Sequence, residues 1–417
     1  MMRQLHFERS AVKNIKKLIS LFLALAMCLS LAACGNSNNN GSNTEPANNA
    51  EPADAAPKIE GIAIEHEPEF GGVYIKMTID DFNKLGFVYG DSVKVVFSNG
   101  YTLEDVPYYN GYYVDAGEAL LIAYPGYDYI KAAINYGQDL WDEGGLYAGR
   151  KISLYEEAKL DGKCTASVYL NAHGTYRDIQ EARDIHYWDE RERYPSDEVF
   201  ANFRNMTAGD LKEGVIYRSA SPCDNQHNRA SYVDKLISAA GVNCILDLAD
   251  NDAKIEKYMA AADFDSPHFK SLYEKGNVIP LAMSMNFSSD DFTAKIAQGF
   301  TAMAEKDGPC LVHCTEGKDR TGFVCMLIEM LCGASYQEIV DDYMITYDNY
   351  YEITEQKDKA KYDIILDKNL IAMMYTVAGS KTVDLKTADL SAFARAYLVK
   401  AGMTDIQIDG LVDRFTK

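Results

Sequence analysis

The sequence predicts an α/β domain with a central, mostly parallel sheet flanked by helices, preceded by a smaller β-rich, barrel-like domain. Three observations lead there. Between residues 58 and 175, short apolar runs alternate with Gly-containing turns at strand spacing. Beyond residue 200, buried-strand runs at residues 244–248 and 278–281 alternate with helix-length segments, the pattern of a parallel sheet. A third apolar run, Cys310-Leu311-Val312, enters a loop rich in Gly and charge, and a helix-like run leaves it at Phe323, so the order is strand, tight loop, helix.

Taken in order, the first 34 residues read as an export address. Lys13, Lys16 and Lys17 form a positive start. Residues 18–31 are an apolar core too short to span a bilayer comfortably, and Leu31-Ala32-Ala33-Cys34-Gly35 ends it. That ending resembles a bacterial lipoprotein box. The resemblance implies a signal peptide at residues 1–33, lipid on the sulfur of Cys34 and a place on the outer face of the cell membrane. Residues 34–57 are rich in Asn, Ser, Ala, Glu and Pro without apolar periodicity, and are expected to be a disordered tether.

The β-rich domain is expected at residues 58–175. Residues 92–98 form a strand closed by Asn99-Gly100, a strong turn signal. Further strands are expected at residues 119–124, 151–155 and 165–171. Tyr108, Tyr109, Tyr112, Tyr113, Tyr124, Tyr127 and Tyr129 crowd this region. They serve strand packing or a glycan- or partner-binding face, and packing is the favoured reading. Residues 90–154 resemble the small C-terminal barrel of the adenosyl-fluoride-synthase and hydroxide adenosyltransferase family. This implies a barrel fold only, since no adenosyl-binding partner domain accompanies it.

The second domain is placed at residues 176–417. A charged connector at 177–196 carries Tyr187-Trp188 as an anchor. Helices are expected at 228–240, 254–262 and 292–306, with Asp247 capping or tying a loop. After the Gly-rich, charged loop and its helix come an amphipathic helix at 335–344, a segment at 350–374 that is either lid or scaffold, and two closing helices at 390–399 and 406–415.

The chemistry converges on Val312-His313-Cys314-Thr315-Glu316-Gly317-Lys318-Asp319-Arg320-Thr321-Gly322. A loop at a helix N-terminus directs backbone N–H groups at one centre, where an anion is favoured. Such a setting with a nearby Arg also favours a thiolate, the nucleophilic form of cysteine. Cys314 is then the candidate nucleophile, and the planar fork of Arg320 suits two phosphate oxygens. Gly317 and Gly322 allow the backbone to turn tightly and approach the phosphate. Thr321 is expected to donate a hydrogen bond to the Cys314 sulfur, Asp319 to protonate the leaving oxygen, and Lys318 to add positive charge at the mouth. Thr315 and Glu316 complete the phosphate cradle.

This run, Cys-x5-Arg after His and before Thr-Gly, resembles the protein tyrosine phosphatase superfamily. Gly317-Lys318-Asp319-Arg320 is similar to the bacterial branch of tyrosine and phosphoinositide phosphatases whose loop reads His-Cys-x-x-Gly-Lys-Asp-Arg-Thr-Gly. The resemblance implies Cys314 as nucleophile, Arg320 as phosphate clamp and Asp319 as general acid, with phosphoinositide acceptance tied to Lys318-Asp319. In many tyrosine phosphatases the acid sits on an earlier loop, which makes Asp290 or Asp291 the rival, unless these only cap a helix. Asn202-Phe203-Arg204 and Tyr217-Arg218-Ser219 also resemble the family's opening segments. Arg218 either reaches the site or forms a structural ion pair.

The formal net charge of −21 excludes nucleic-acid binding and a polybasic membrane contact. Of nine Cys, Cys28 and Cys34 belong to the leader. The remaining seven show no CxxC pair, so neither zinc nor a disulfide framework is indicated. No cofactor and no metal are expected for the chemistry. The expected partners are a phosphorylated protein or phosphoinositide, and a membrane reached through the N-terminal lipid. The alternative function is a catalytically idle, surface-displayed phosphate-binding or adhesion module.

Overall fold

The computed structural model describes residues 56–67, 71–137, 139–141 and 164–416. The signal peptide with Cys34, the tether up to residue 55 and the strand expected at 151–155 lie outside the described residues.

Seven strands form a closed barrel: β1 (Lys58–His66), β2 (Val73–Thr78), β3 (Ser92–Phe97), β4 (Thr102–Tyr109), β5 (Ala119–Ile122), β6 (Tyr129–Ile134) and β7 (Thr165–Ala172). Their order is β1-β2-β6-β5-β4-β3-β7, and β7 pairs back onto β1. Closure leaves no unpaired edge, which removes the liability of an exposed strand. Alternation does the filling: Val73 and Ile75, Val93 and Val95, and Ala166 and Val168 all enter one core. Helix α1 (Ile79–Lys84), capped by the Thr78 hydroxyl, adds Phe82, which stacks on Phe87.

The tyrosines mostly pack. Tyr108 and Tyr109 are buried, while Tyr124 is exposed. Tyr74, Tyr112 and Tyr127 ring the buried ammonium of Lys131, whose Nζ lies 2.6 Å from Glu67.

The connector forms α2 (Arg177–Arg183) and the short α3 (Asp197–Phe200). Gln180 of α2 donates to Asn110 of the barrel, and α2 packs against α10 (Lys359–Ile365) of the second domain. That domain holds a five-stranded sheet in the order β11-β10-β12-β9-β8. The strands are β8 (Arg204–Asn205), β9 (Ile216–Ser219), β10 (Cys244–Asp247), β11 (Val278–Pro280) and β12 (Cys310–His313). All neighbours run parallel except the edge pair β8 and β9. The sheet is therefore mostly parallel, as its near-continuous apolar strands require.

Its two faces read off the alternation. Leu246 and Val312 join a core with α7 (Asp290–Ala304), α8 (Asp319–Leu331), α9 (Tyr336–Tyr351), α11 (Ala372–Ala378), α12 (Leu390–Lys400) and α13 (Asp405–Thr416). Ile245 and Leu311 join the opposite core, formed with α4 (Ala230–Ala239), α5 (Asp252–Met259) and α6 (Pro267–Glu274). Each fully buried Leu or Ile side chain contributes about 1.5–3 kcal/mol from apolar burial.

One element differs from expectation, and one open choice is decided. The amphipathic helix expected at 335–344 runs on to Tyr351, because Tyr343, Tyr347 and Tyr350 continue its buried face. The segment at 350–374 is scaffold, with Ile365, Leu370 and Met374 in the main core.

Candidate active site

Central β12 has parallel neighbours on both sides, and its carboxyl end opens into the crevice where parallel sheets bind ligands. Cys314 follows at once, and α8 begins at Asp319. The loop thus joins the central strand to a helix N-terminus, and all nine predicted loop residues from Cys314 to Gly322 are gathered there.

The surrounding protein sets the direction of the loop's peptides. Thr315 O accepts from the Ser221 amide, Glu316 O from the Tyr350 hydroxyl, and Gly317 O from Arg218 Nη2 and Asn202 Nδ2. In a trans peptide the N–H points opposite to the C=O. The amides of Glu316, Gly317 and Lys318 are therefore turned inward, where an anion would sit. Gly317 has φ +68, and a Cβ there would lie 2.2 Å from Ser219 O, so only glycine fits. A Cβ on Gly322 would meet the Tyr343 ring at 2.7 Å, which is why α8 and α9 pack so closely.

Cys314 is 3% exposed at the floor of this loop. Arg320 is held across it, with Nη1 donating to Met283 O and Nη2 to Thr315 Oγ1. Its Nε is buried and has no partner among the described residues. The expected hydrogen bond from Thr321 to Cys314 is not formed. Thr321 Oγ1 is buried and likewise unpartnered among the described residues. Asp319 stands in the first turn of α8, about one third exposed, its Oδ2 3.8 Å from Lys318 Nζ.

Lys318 is not a free cation at the mouth. Its Nζ lies 2.9 Å from Glu316 Oε2 and donates to the Tyr351 hydroxyl at 3.1 Å. Burial alone would lower its pKa, but Asp319, Tyr351 and Glu316 hold it well above the usual lysine value. Glu316 in turn accepts from Tyr187 at 3.0 Å. The Tyr187-Trp188 anchor thus reaches the loop itself, which the charged look of the connector did not indicate.

Arg218 is structural. It is 1% exposed, and its Nη1 donates to Asp342 Oδ2 at 2.6 Å. Arg204 binds the other oxygen of Asp342 at 2.7 Å and also holds Asn202. Burial opposes ionisation of Asp342, yet the two guanidinium groups keep its pKa well below the carboxylate range. Glu329, buried beside it, is pushed well up by burial and then by the Asp342 charge, so it keeps its proton. This network ends on Gly317 O and so fixes the loop from below.

Asp290 and Asp291 lie in the first turn of α7, where the Ser289 hydroxyl accepts from the Phe292 amide and Asp291 pairs with Lys295. Ser289 is the cap, and the two carboxylates lie at the positive end of the helix. A cleft of about 700 Å³ beside Asp290, lined by Phe287, Tyr375, Lys381 and Lys400, contains no residue of the Cys314 loop.

Among curated protein sequences, none matches the chain. Among solved structures, TpbA of P. aeruginosa, as a Cys-to-Ser variant in complex with phosphotyrosine, is 16% identical over 44% of this chain and 86% of its own, with a TM-score of 0.25. The core catalytic domain of the PP-IP phosphatase SIW14 of S. cerevisiae, in complex with citrate, is 19% identical over 40% of this chain and 95% of its own, with a TM-score of 0.23. A model of the tyrosine phosphatase family matches residues 198–417, more than half of the chain and all of the five-stranded sheet with its loop. The chain belongs to the tyrosine phosphatase family and is a phosphatase of that type.

Proposed function

We propose that the protein hydrolyses phosphomonoesters through a phosphocysteine intermediate, on phosphotyrosine proteins or phosphoinositides. One observation carries the reading: a nearly buried Cys314 sits under three inward amides and the unpartnered Nε of Arg320. That is a site preorganised for a tetrahedral anion next to a nucleophile. The Cys314 sulfur attacks phosphorus, the S–P bond forms and the P–O ester bond breaks. Asp319 protonates the leaving oxygen. Water then attacks the phosphocysteine, with the same carboxylate taking its proton, and the S–P bond breaks to release inorganic phosphate. Arg320 and the amides hold the phosphoryl oxygens throughout. No metal ion touches the substrate in this scheme. For a phosphoinositide, Lys318 is the cation beside the loop, and it meets a second phosphate only by exchanging its contacts with Glu316 and Tyr351.

We place the protein outside the cytoplasm, tethered by lipid on Cys34. Lipid labelling lost in Cys34→Ser is the test of that part.

The mechanism is tested by phosphate release from a phosphotyrosine peptide, a phosphoserine peptide and a set of phosphoinositides, in reducing buffer with a chelator. Release that falls by about 10⁴-fold or more in Cys314→Ser supports the mechanism. Asp319→Asn is expected to cost about 10²–10⁴-fold on alkyl phosphates and much less on esters with good leaving groups. Equal loss in Asp290→Asn or Asp291→Asn would move the acid to that loop. No release from any substrate would turn the reading to phosphate-binding display.

A further inference from the structure

A second group of reactive side chains converges just behind the catalytic loop. Asp247 and His313 are register partners at the carboxyl ends of β10 and β12. Alternation along each strand turns both toward the α4–α6 face. Cys223, from the loop after β9, and Asp250, from the loop after β10, close on the same point. The ligating atoms of Cys223, Asp247 and Asp250 all lie within 4.8 Å of one another. Nε2 of His313 is 3.8 Å from Asp247 Oδ2. The four residues are 2%, 0%, 1% and 0% exposed, in the order Cys223, Asp247, Asp250 and His313.

The donors available do not match the acceptors. Asp247 Oδ1 accepts the Ala249 and Asp250 amides, but Oδ2 has no partner among the described residues. Asp250 Oδ1 faces Lys254 Nζ at 3.7 Å, and its Oδ2 has none either. The ring of His313 lies with Nδ1 3.2 Å from Cys314 O, and a carbonyl can only accept, so Nδ1 carries the hydrogen. Nε2 is then a lone pair, buried and unpartnered, facing a carboxylate oxygen. Each buried acceptor left without a donor costs about 1–3 kcal/mol, so something positive belongs between them.

The donor set says what. One sulfur and two carboxylate oxygens suit a borderline-soft divalent ion in tetrahedral geometry with one position left open. We propose that Cys223, Asp247 and Asp250 bind one divalent cation of the zinc class behind the catalytic loop. The cation does not reach the substrate. It ties the loop after β9 to the end of β10 and the loop that follows, beside the buried ring of His313, whose Nε2 is 3.8 Å from Asp247 Oδ2. Cysteine spacing in the sequence does not reveal such a site, because it uses a single Cys and takes its other ligands from a different part of the chain.

The test is titration of the reduced, metal-free full chain with Co²⁺, followed by displacement with Zn²⁺. Cobalt in a tetrahedral thiolate site shows a near-ultraviolet thiolate-to-metal charge-transfer band. The expected result is one equivalent bound with that band, the band lost in Cys223→Ala, affinity lowered at least tenfold in Asp250→Asn, and both features kept in Cys314→Ser. Absence of binding in the native chain overturns the proposal and leaves a shared proton between the two carboxyls. So does binding that survives Cys223→Ala and Asp250→Asn together, or that disappears in Cys314→Ser. The readout does not use turnover. A chain that binds the ion and hydrolyses nothing keeps this site and loses only the phosphatase mechanism.

Discussion

The barrel and the phosphatase domain both bury charge, but to different ends. In the barrel, Lys131 is 0% exposed, lies 2.6 Å from Glu67 and is ringed by three tyrosines. That arrangement is turned in upon itself. In the phosphatase domain, Arg218 and Glu329 are as deeply set and Arg204 and Asp342 only a little less so, yet two donors reach the loop: Arg218 Nη2 and Asn202 Nδ2 both end on Gly317 O. A buried ion pair is weak evidence for stability by itself. What distinguishes the second is that its geometry is passed on to peptides around Cys314.

The sharpest way to break this comparison is to remove one cation from each. Lys131→Met removes the cation 2.6 Å from buried Glu67 and is expected to cost about 3–5 kcal/mol of stability, measured by urea unfolding. Arg218→Met leaves Asp342 paired with Arg204, so it costs less stability, but it takes one of two donors from Gly317 O, and kcat/KM is expected to fall on the order of 10²-fold through loss of loop geometry. Lys131→Met should leave kcat/KM of the folded protein unchanged. If turnover drops equally in both, the barrel is not self-contained. Replacing both partners, Lys131→Met with Glu67→Leu, should recover most of the lost stability.

A smaller effect separates the two regions by pH. Glu329 has its folded pKa raised well above 4.5 by burial and then by Asp342. A raised value means the folded state holds a proton that the unfolded chain releases. The stability this group contributes is therefore fully present below about pH 4.5 and is lost as pH rises toward the folded value. Glu329→Gln carries the donor permanently. Relative to this variant, the wild type should lose up to about 1.4 kcal/mol per pH unit across that window, measured by chemical unfolding from pH 5 to 8. Identical slopes in the two proteins would mean that Asp342 receives no proton from Glu329.

How much of this was legible in the sequence follows from distance along the chain. The loop was, because strand, Cys, two glycines, Arg and helix fall within a dozen residues. Gly317 could be read as a close-approach position before its neighbour, Ser219 O, was known. The parallel sheet was legible from residues 244–248 and 310–312, whose unbroken apolar character fits strands covered on both faces. The bracing was not. Asp342 meets Arg218 and Arg204 across 124 and 138 residues, and only the fold brings them together. Arg218 could therefore be read as active-site or structural with equal reason. Lys318 was misplaced for a similar cause: Tyr351, which takes its ammonium from the mouth, lies at the far end of a helix expected to stop sooner.

The finest distinction concerns Tyr187, which belongs to the connector between the two regions. Its hydroxyl donates to Glu316 at 3.0 Å and faces His227, which is held by Asp189 at 3.1 Å. Glu316 keeps its 2.9 Å contact with Lys318 whatever happens to Tyr187. Tyr187→Phe therefore removes one hydrogen bond to a charged acceptor and leaves no charge unpaired. The expected cost is about 1 kcal/mol, or roughly fivefold in kcat/KM, with little change in stability. Tyr112→Phe is the matching change in the barrel, where the hydroxyl only meets Tyr127 at 3.4 Å, and kcat/KM should not move. If Tyr187→Phe is as silent as Tyr112→Phe, the connector merely packs against the domain. If it shifts kcat/KM alone, the catalytic loop is braced on its outer side by the connector as well as from below by Arg218.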